Sequence, residues 1–246
     1  MKQALPLFFA SLVFSACGTN QPAGLETQPV DRKDSSADGM PHIDASSHVW
    51  QAAIQVDAEN GWLTALGIPI NNKKSVVVNA ANGSLGGGGG LDGALCNWAK
   101  KNVTGFDAQA WRKGAKSPNQ ATVPNPLPTG EFAIFDTSFG WIYLAVGPIA
   151  SNMSSLEEAR NKVRNLYANM LVHAHKQHVD RIVLPAISTS IFAGPGKGFS
   201  KDEFLQAVYQ GMIEGIENFK AQQPGAPMKI ILNNWHEKVV QKINPL

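Results

Sequence analysis

The residues with the clearest chemical capacity lie between Val76 and Cys96, in the run VVVNAANGSLGGGGGLDGALC. Five consecutive glycines, Gly86 to Gly90, open backbone angles closed to other residues and leave amide hydrogens uncovered. A helix starting directly after them would add the positive end of its dipole, so the guest expected at this loop is an oxyanion such as a phosphate. No Lys-Ser/Thr pair closes the run as in a Walker loop, and its glycine spacing is not the dinucleotide-binding fingerprint. ATPase and dehydrogenase chemistry are thereby disfavoured. A tight glycine turn that holds no ligand is the other reading of the same residues. A second loop of small and hydroxyl-bearing residues, Leu184 to Pro195 (LPAISTSIFAGP), follows about 100 residues later.

Both loops need rigid supports. Ser75 to Ala80 (SVVVNA) is β-branched and apolar enough to be a buried, central strand feeding the glycine loop. Leu91, Ala94, Leu95 and Trp98 recur at helical spacing, predicting a helix from Leu91 to Val103. Arg181 to Pro185 predicts the strand before the second loop, with its proline at the end. Further strands are expected at His48–Val56, Glu131–Asp136, Trp141–Val146 and Met228–Leu232. Ser154 and Ser155 ahead of Glu157 and Glu158, and Ser200 ahead of Glu203, have capping-box spacing and open two helices. The first helix is expected to stop near Val179, and the second carries Phe204, Val208, Met212, Ile216 and Phe219 on one face. Thr104 to Gly130 reads as an irregular excursion. Strands alternating with helices of this length give an α/β/α layering with a mixed or largely parallel sheet.

The motif Asn79-Ala80-Ala81-Asn82, the glycine loop, Leu91-Asp92-Gly93 and the Leu184–Pro195 segment together resemble the macro domain family, over most of the chain from His48 to Asn234. The resemblance implies a three-layer α/β/α fold with a mixed central sheet and a cleft for ADP-ribose, which enters as ligand or substrate moiety, not as a cofactor. Some members hydrolyse ADP-ribosyl esters, O-acetyl-ADP-ribose or ADP-ribose 1''-phosphate; a binding-only reader and a degenerate envelope interaction or structural domain are the alternatives. At matching positions Asn82 resembles the asparagine beside the distal ribose, and Asp92 the aspartate that orients substrate and assists water attack in hydrolytic members. Gly87, Gly88 and Gly89 would form one phosphate-facing wall, and Ser188, Thr189, Ser190, Ile191 and Phe192 the other, with Phe192 beside the proximal ribose. Ser190 and Ala193 stand where the family commonly has glycine, and Gly194 where it has a bulky residue. Cys96 replaces a histidine common in hydrolytic relatives; as a thiol on the inner face of a helix it reads as a small hydrophobe or, alternatively, a nucleophile. Asp57, after the first strand, is the candidate adenine-reading acid, with Trp62 as a stacking alternative. His42, His48, His173, His175, His178 and His236 form no metal-ligand pattern.

The chain has 246 residues, 43% of them apolar and 16% charged, with 23 Gly and 15 Pro, which suits one loop-rich monomeric domain. Its 21 basic and 19 acidic residues balance too evenly for a nucleic-acid partner. Lys2 followed by the apolar run Leu5–Phe14 suits a signal peptide, and Phe14-Ser15-Ala16-Cys17-Gly18 resembles a bacterial lipoprotein processing box. The expectation is therefore a signal peptide over 1–16, lipid on Cys17, a flexible tether over 17–45 and a macro-like domain over 46–246. Such a protein would be anchored to a bacterial membrane by lipid, at the outer membrane facing the periplasm given Gly18 after the cysteine.

Overall fold

Runs of β-branched residues alternate along the chain with amphipathic stretches, and the computed structural model shows them assembled into one seven-stranded sheet between helical layers. It describes residues 50–53, 74–107 and 109–233. The strands are β1 (Trp50–Ala53), β2 (Ser75–Ala80), β3 (Ala115–Lys116), β4 (Phe132–Asp136), β5 (Trp141–Ala145), β6 (Arg181–Pro185) and β7 (Lys229–Asn233). The helices are α1 (Gly90–Asn102), α2 (Ala110–Gly114), α3 (Leu156–Lys176) and α4 (Lys201–Gln222).

Strand order is β1-β7-β6-β2-β5-β4-β3, which puts β2 at the centre. Strands β1, β7, β6, β2 and β5 run parallel, and β4 and β3 continue antiparallel at one edge, so the sheet is mixed as expected. Alternation sends Val76 and Val78 to one face and Val77 to the other. The first face packs on α3 and α4 through Tyr143, Ile182, Leu184, Leu166 and Met212; the second packs on α1 and α2 through Leu144, Val183, Leu95 and Trp111. These are the three layers that the sequence implied.

Helix starts follow their caps. Ser200 Oγ accepts from Glu203 N while Glu203 returns a carboxylate oxygen to Ser200 N, a complete capping box. At α3, Ser155 is the cap and accepts from Glu158 N, but the Glu158 carboxylate turns instead to the backbone N and hydroxyl of Ser154. Helix α3 ends at Lys176, three residues before the expected stop. On α1, Asp92, Leu95, Cys96 and Ala99 are the buried set, while Leu91, Ala94 and Trp98 are half-buried. The helix turns this way because a polar residue, Asp92, takes an inward position. The excursion from 104 to 130 contains α2 and β3, elements of five and two residues that are too short to impose a period on sequence.

Helices α3 and α4 cross where Gly211 and Gly215 stand one turn apart. A Cβ at Gly211 would strike Arg160 O, and one at Gly215 would lie 2.5 Å from Arg164 O and 2.8 Å from Tyr167 Cβ. Because backbone cannot yield as a side-chain end does, Gly211→Ala is expected to lower unfolding free energy by about 1–3 kcal/mol, read by urea denaturation.

Candidate functional site

Strands β2 and β6 are parallel neighbours, so the loops after Ala80 and Pro185 leave the same end of the sheet. Ligands of open α/β sheets bind at that end, outside the carboxyl ends of the strands. The sequence had proposed these two loops as facing walls, and the strand register brings their roots side by side.

The first loop is organised by its two asparagines. Asn79 shares its strand face with Val77, so it points toward α1, where it is wholly buried. Its Nδ2 donates to Asp92 Oδ1 at 2.8 Å. Asp92 sits in the first turn of α1 with 4% of its surface exposed. Burial pushes its carboxyl above the usual carboxylate range, and hydrogen bonds from Asn79 and the Trp111 indole work against that rise by favouring the ionised form. Asn82 Nδ2 donates to Gly87 O at 2.8 Å, and its Oδ1 accepts from the Ser84 hydroxyl at 2.6 Å. These bonds fold the loop back over its own root.

The glycines have distinct tasks within that loop. Gly87 (φ 80°) and Gly90 (φ 59°) take left-handed angles that side chains disfavour. A Cβ at Gly93 would lie 2.6 Å from Gly88 O, so a bare backbone there lets the loop rest on α1. A Cβ at Gly88 would lie 3.3 Å from Asp92 Oδ2 and 3.6 Å from Asn82 Nδ2. The two proposed catalytic side chains therefore converge on the space that Gly88 leaves open. The first residue before α1, Gly89, offers no side-chain cap to the helix, so its leading amides keep their capacity for an oxyanion.

In the second loop Ser188 is buried at 5% exposure with φ 65°, and its Oγ finds no hydrogen-bond partner among the described residues. Thr189 Oγ1 donates to Ala186 O at 2.8 Å, Ser190 and Ile191 are exposed, and half-buried Phe192 accepts Ala150 N at its carbonyl at 3.1 Å. Ile191 is 78% exposed, the most exposed large apolar side chain described, as suits a residue on a wall. The hydroxyl of Tyr167 in α3 donates to Pro185 O and accepts Ile187 N, which ties the loop root to the helical layer.

Three supporting residues escaped the sequence reading. Arg112 donates to Ser84 O (2.9 Å), Gly83 O (2.8 Å) and Pro124 O (2.7 Å), clamping the first loop to the excursion. Neither Arg112 nor Tyr167 carried a local signal, since their partners are backbone groups distant in sequence. Asn79 did carry one: a polar residue in an apolar central strand needs a buried partner. Cys96 is 1% exposed, which fits the small-hydrophobe reading of this thiol. Asp57, Trp62 and Cys17 lie outside the described residues, and among the described residues no three His, Cys, Asp or Glu side chains form a metal-binding group.

Comparison with known proteins places this arrangement among relatives. The family model described as Macro domain matches residues 78–198, which include both loops. A macro domain-containing protein of Cupriavidus necator is 32% identical over 124 residues, covering 48% of this chain and 64% of its own length, so the chain spans just under two thirds of that relative. An O-acetyl-ADP-ribose deacetylase of Klebsiella pneumoniae is 31% identical over 146 residues, covering 58% of this chain and 73% of that protein. A mutant macrodomain from Oceanobacillus iheyensis has a similar fold, with a TM-score of 0.50 and 25% identity over 71% of this chain and 80% of that one.

Proposed function

The chain belongs to the macro domain family, and on that premise we propose that it binds ADP-ribose or an ADP-ribosylated molecule between the two loops and hydrolyses an ADP-ribosyl derivative such as a protein ester or O-acetyl-ADP-ribose. The observation that carries the proposal is the convergence of Asn82 and Asp92 on the space beside Gly88, at the uncapped start of α1. Backbone amides of Gly87, Gly88 and Gly89 and of Ser188 to Phe192 receive the diphosphate, and Asn82 exchanges hydrogen bonds with ribose hydroxyls. Ionised Asp92 orients a water and accepts its proton as the water attacks the scissile linkage; the proton then passes to the departing oxygen. The chemistry needs no redox cofactor.

Binding without turnover is the second reading. It is favoured by the deep burial of Asp92 and by Cys96 standing where hydrolytic relatives commonly have histidine. Product analysis with O-acetyl-ADP-ribose and with ADP-ribosylated protein separates the two: released acetate or free ADP-ribose supports hydrolysis, whereas intact substrate despite binding selects the reader.

The N-terminal expectation completes the proposal. A signal peptide over 1–16, lipid on Cys17 and a tether over 17–45 would hold the domain at the outer membrane facing the periplasm. Cys17→Ala is expected to abolish labelling by radioactive palmitate and processing of the precursor; persistent labelling of the variant would overturn the anchor.

A further inference from the structure

We infer that Arg112, contributed by α2 in the excursion, is a positioning residue for Asn82, and that through Asn82 it makes the cleft prefer a ligand carrying the distal ribose over one that ends at the diphosphate. The role rests on the ADP-ribose reading of the cleft for its ligand, but not for its geometry.

Arg112 is held at its base, because its neighbour Trp111 is 1% exposed in the core layer that also contains Leu85 and Leu127. From that anchor every guanidinium nitrogen donates: Nε to Ser84 O at 2.9 Å, Nη2 to Gly83 O at 2.8 Å and Nη1 to Pro124 O at 2.7 Å. All of these acceptors are neutral backbone carbonyls, so what the planar fork supplies is fixed direction. Gly83 and Ser84 form the turn directly after Asn82, and Pro124 belongs to the arm of the excursion that returns over it. That arm closes the clamp from its own side, since Leu127 N also donates to Gly83 O at 2.7 Å. A Cβ at Gly83 would stand 2.9 Å from Leu127 O and 3.3 Å from Pro126 Cβ, so bare backbone is what lets the excursion lie on the turn.

Asn82 takes its position from the clamped turn. The Ser84 hydroxyl donates to Asn82 Oδ1 at 2.6 Å, and Leu85 N donates to Asn82 O at 3.0 Å. Leu85 holds a φ of 51°, a left-handed angle that leucine disfavours, so the turn keeps its shape only while its surroundings impose it. Without the guanidinium the turn can relax, Asn82 Oδ1 loses its fixed donor, and the amide must be ordered again when a ribose arrives. The diphosphate seat is supported differently. Gly88 rests against α1, where a Cβ at Gly93 would lie 2.6 Å from Gly88 O, and Gly93 N donates to Gly89 O at 3.3 Å. Loss of the clamp should therefore fall on the ribose end of the cleft and largely spare the phosphate end.

The test titrates the full chain and its Arg112→Met variant with ADP-ribose and, separately, with ADP, which lacks the distal ribose. Methionine keeps an unbranched apolar stem and removes every donor. Affinity for ADP-ribose is expected to fall about tenfold and affinity for ADP by less than about twofold. Equal losses for the two ligands, as a merely structural role would give, or no loss for ADP-ribose, overturn the proposal. The double variant Arg112→Met, Asn82→Ala should bind ADP-ribose as Asn82→Ala alone does, and additive losses overturn the proposal as well. If Arg112→Met does not fold, Arg112→Lys takes its place with the same expected split, since one ammonium keeps the charge but cannot reproduce the fork. Should the unaltered protein bind neither ligand, the ADP-ribose reading fails by itself, and proton–nitrogen NMR judges the clamp. The Asn82 side-chain amide signals, identified by their loss in Asn82→Ala, should then move and exchange faster with water in the Arg112 variant; unchanged signals overturn the proposal.

Discussion

Asp92→Asn is expected to reduce turnover of O-acetyl-ADP-ribose by about 10²–10⁴-fold, the range spanned by positioned acid–base groups, while the fold becomes no less stable at neutral pH. The two effects separate because the carboxylate is costly where it stands. With 4% exposure, Asp92 ionises against a burial penalty that Asn79 and Trp111 offset only in part, so its folded-state pKa lies above that of the unfolded chain. Its stabilising contribution is fully present below the unfolded value of about 3.9 and is lost as pH rises through the raised folded value. Above that window the protonatable carboxylate is a net cost that asparagine, equal in size and uncharged, does not carry. Asn79 Nδ2 can still donate to the new amide oxygen, as it now does to Asp92 Oδ1 at 2.8 Å. Turnover should follow the opposite course with pH in the unaltered protein, falling as acid protonates Asp92 and removes the base. Thermal unfolding across pH 4 to 8, read beside turnover, checks both halves; a variant that loses stability and activity together would make Asp92 a structural group.

Gly88→Val is expected to weaken ADP-ribose binding by about 10–100-fold with the sheet and helices intact. Even a Cβ at this position would stand 3.3 Å from Asp92 Oδ2 and 3.6 Å from Asn82 Nδ2, and valine adds two methyls beyond it. Gly88 is exposed, so the added bulk enters the space proposed for ligand and does not enter the core. A clash with Asp92 also tilts the carboxylate away from its Asn79 donor, so turnover should fall with affinity. Gly89→Ala serves as the comparison, since a Cβ there meets nothing within 4 Å, and affinity should change little unless the ligand itself lies against it. Binding unaffected by Gly88→Val would move the ligand away from the glycine loop.

The scaffold was legible wherever residues repeat at a strand or helix period. β2 and β6 match their expected bounds to the residue, and the Ser200–Glu203 box caps α4 because both partners are local. Asn82 and Asp92 were placed through a resemblance of motifs, and their convergence depends on backbone turns at Gly87 and Gly90 that glycine permits but does not dictate. Trp111, Arg112 and Tyr167 were hidden for a different reason. Their partners lie 12 to 29 residues away in the chain, at backbone groups or a thiol, and α2 is too short to announce which face it turns inward. The inward turn of Asp92 on α1 carried no local signal either, because an inward aspartate is favourable only when Asn79 and Trp111 are already there to receive it.

Calorimetric titration of the protein with ADP-ribose tests the central claim most directly. Saturable one-to-one binding that Gly88→Val weakens by an order of magnitude or more is the predicted result; absence of binding, or binding indifferent to that substitution, would contradict an ADP-ribose site between the two loops.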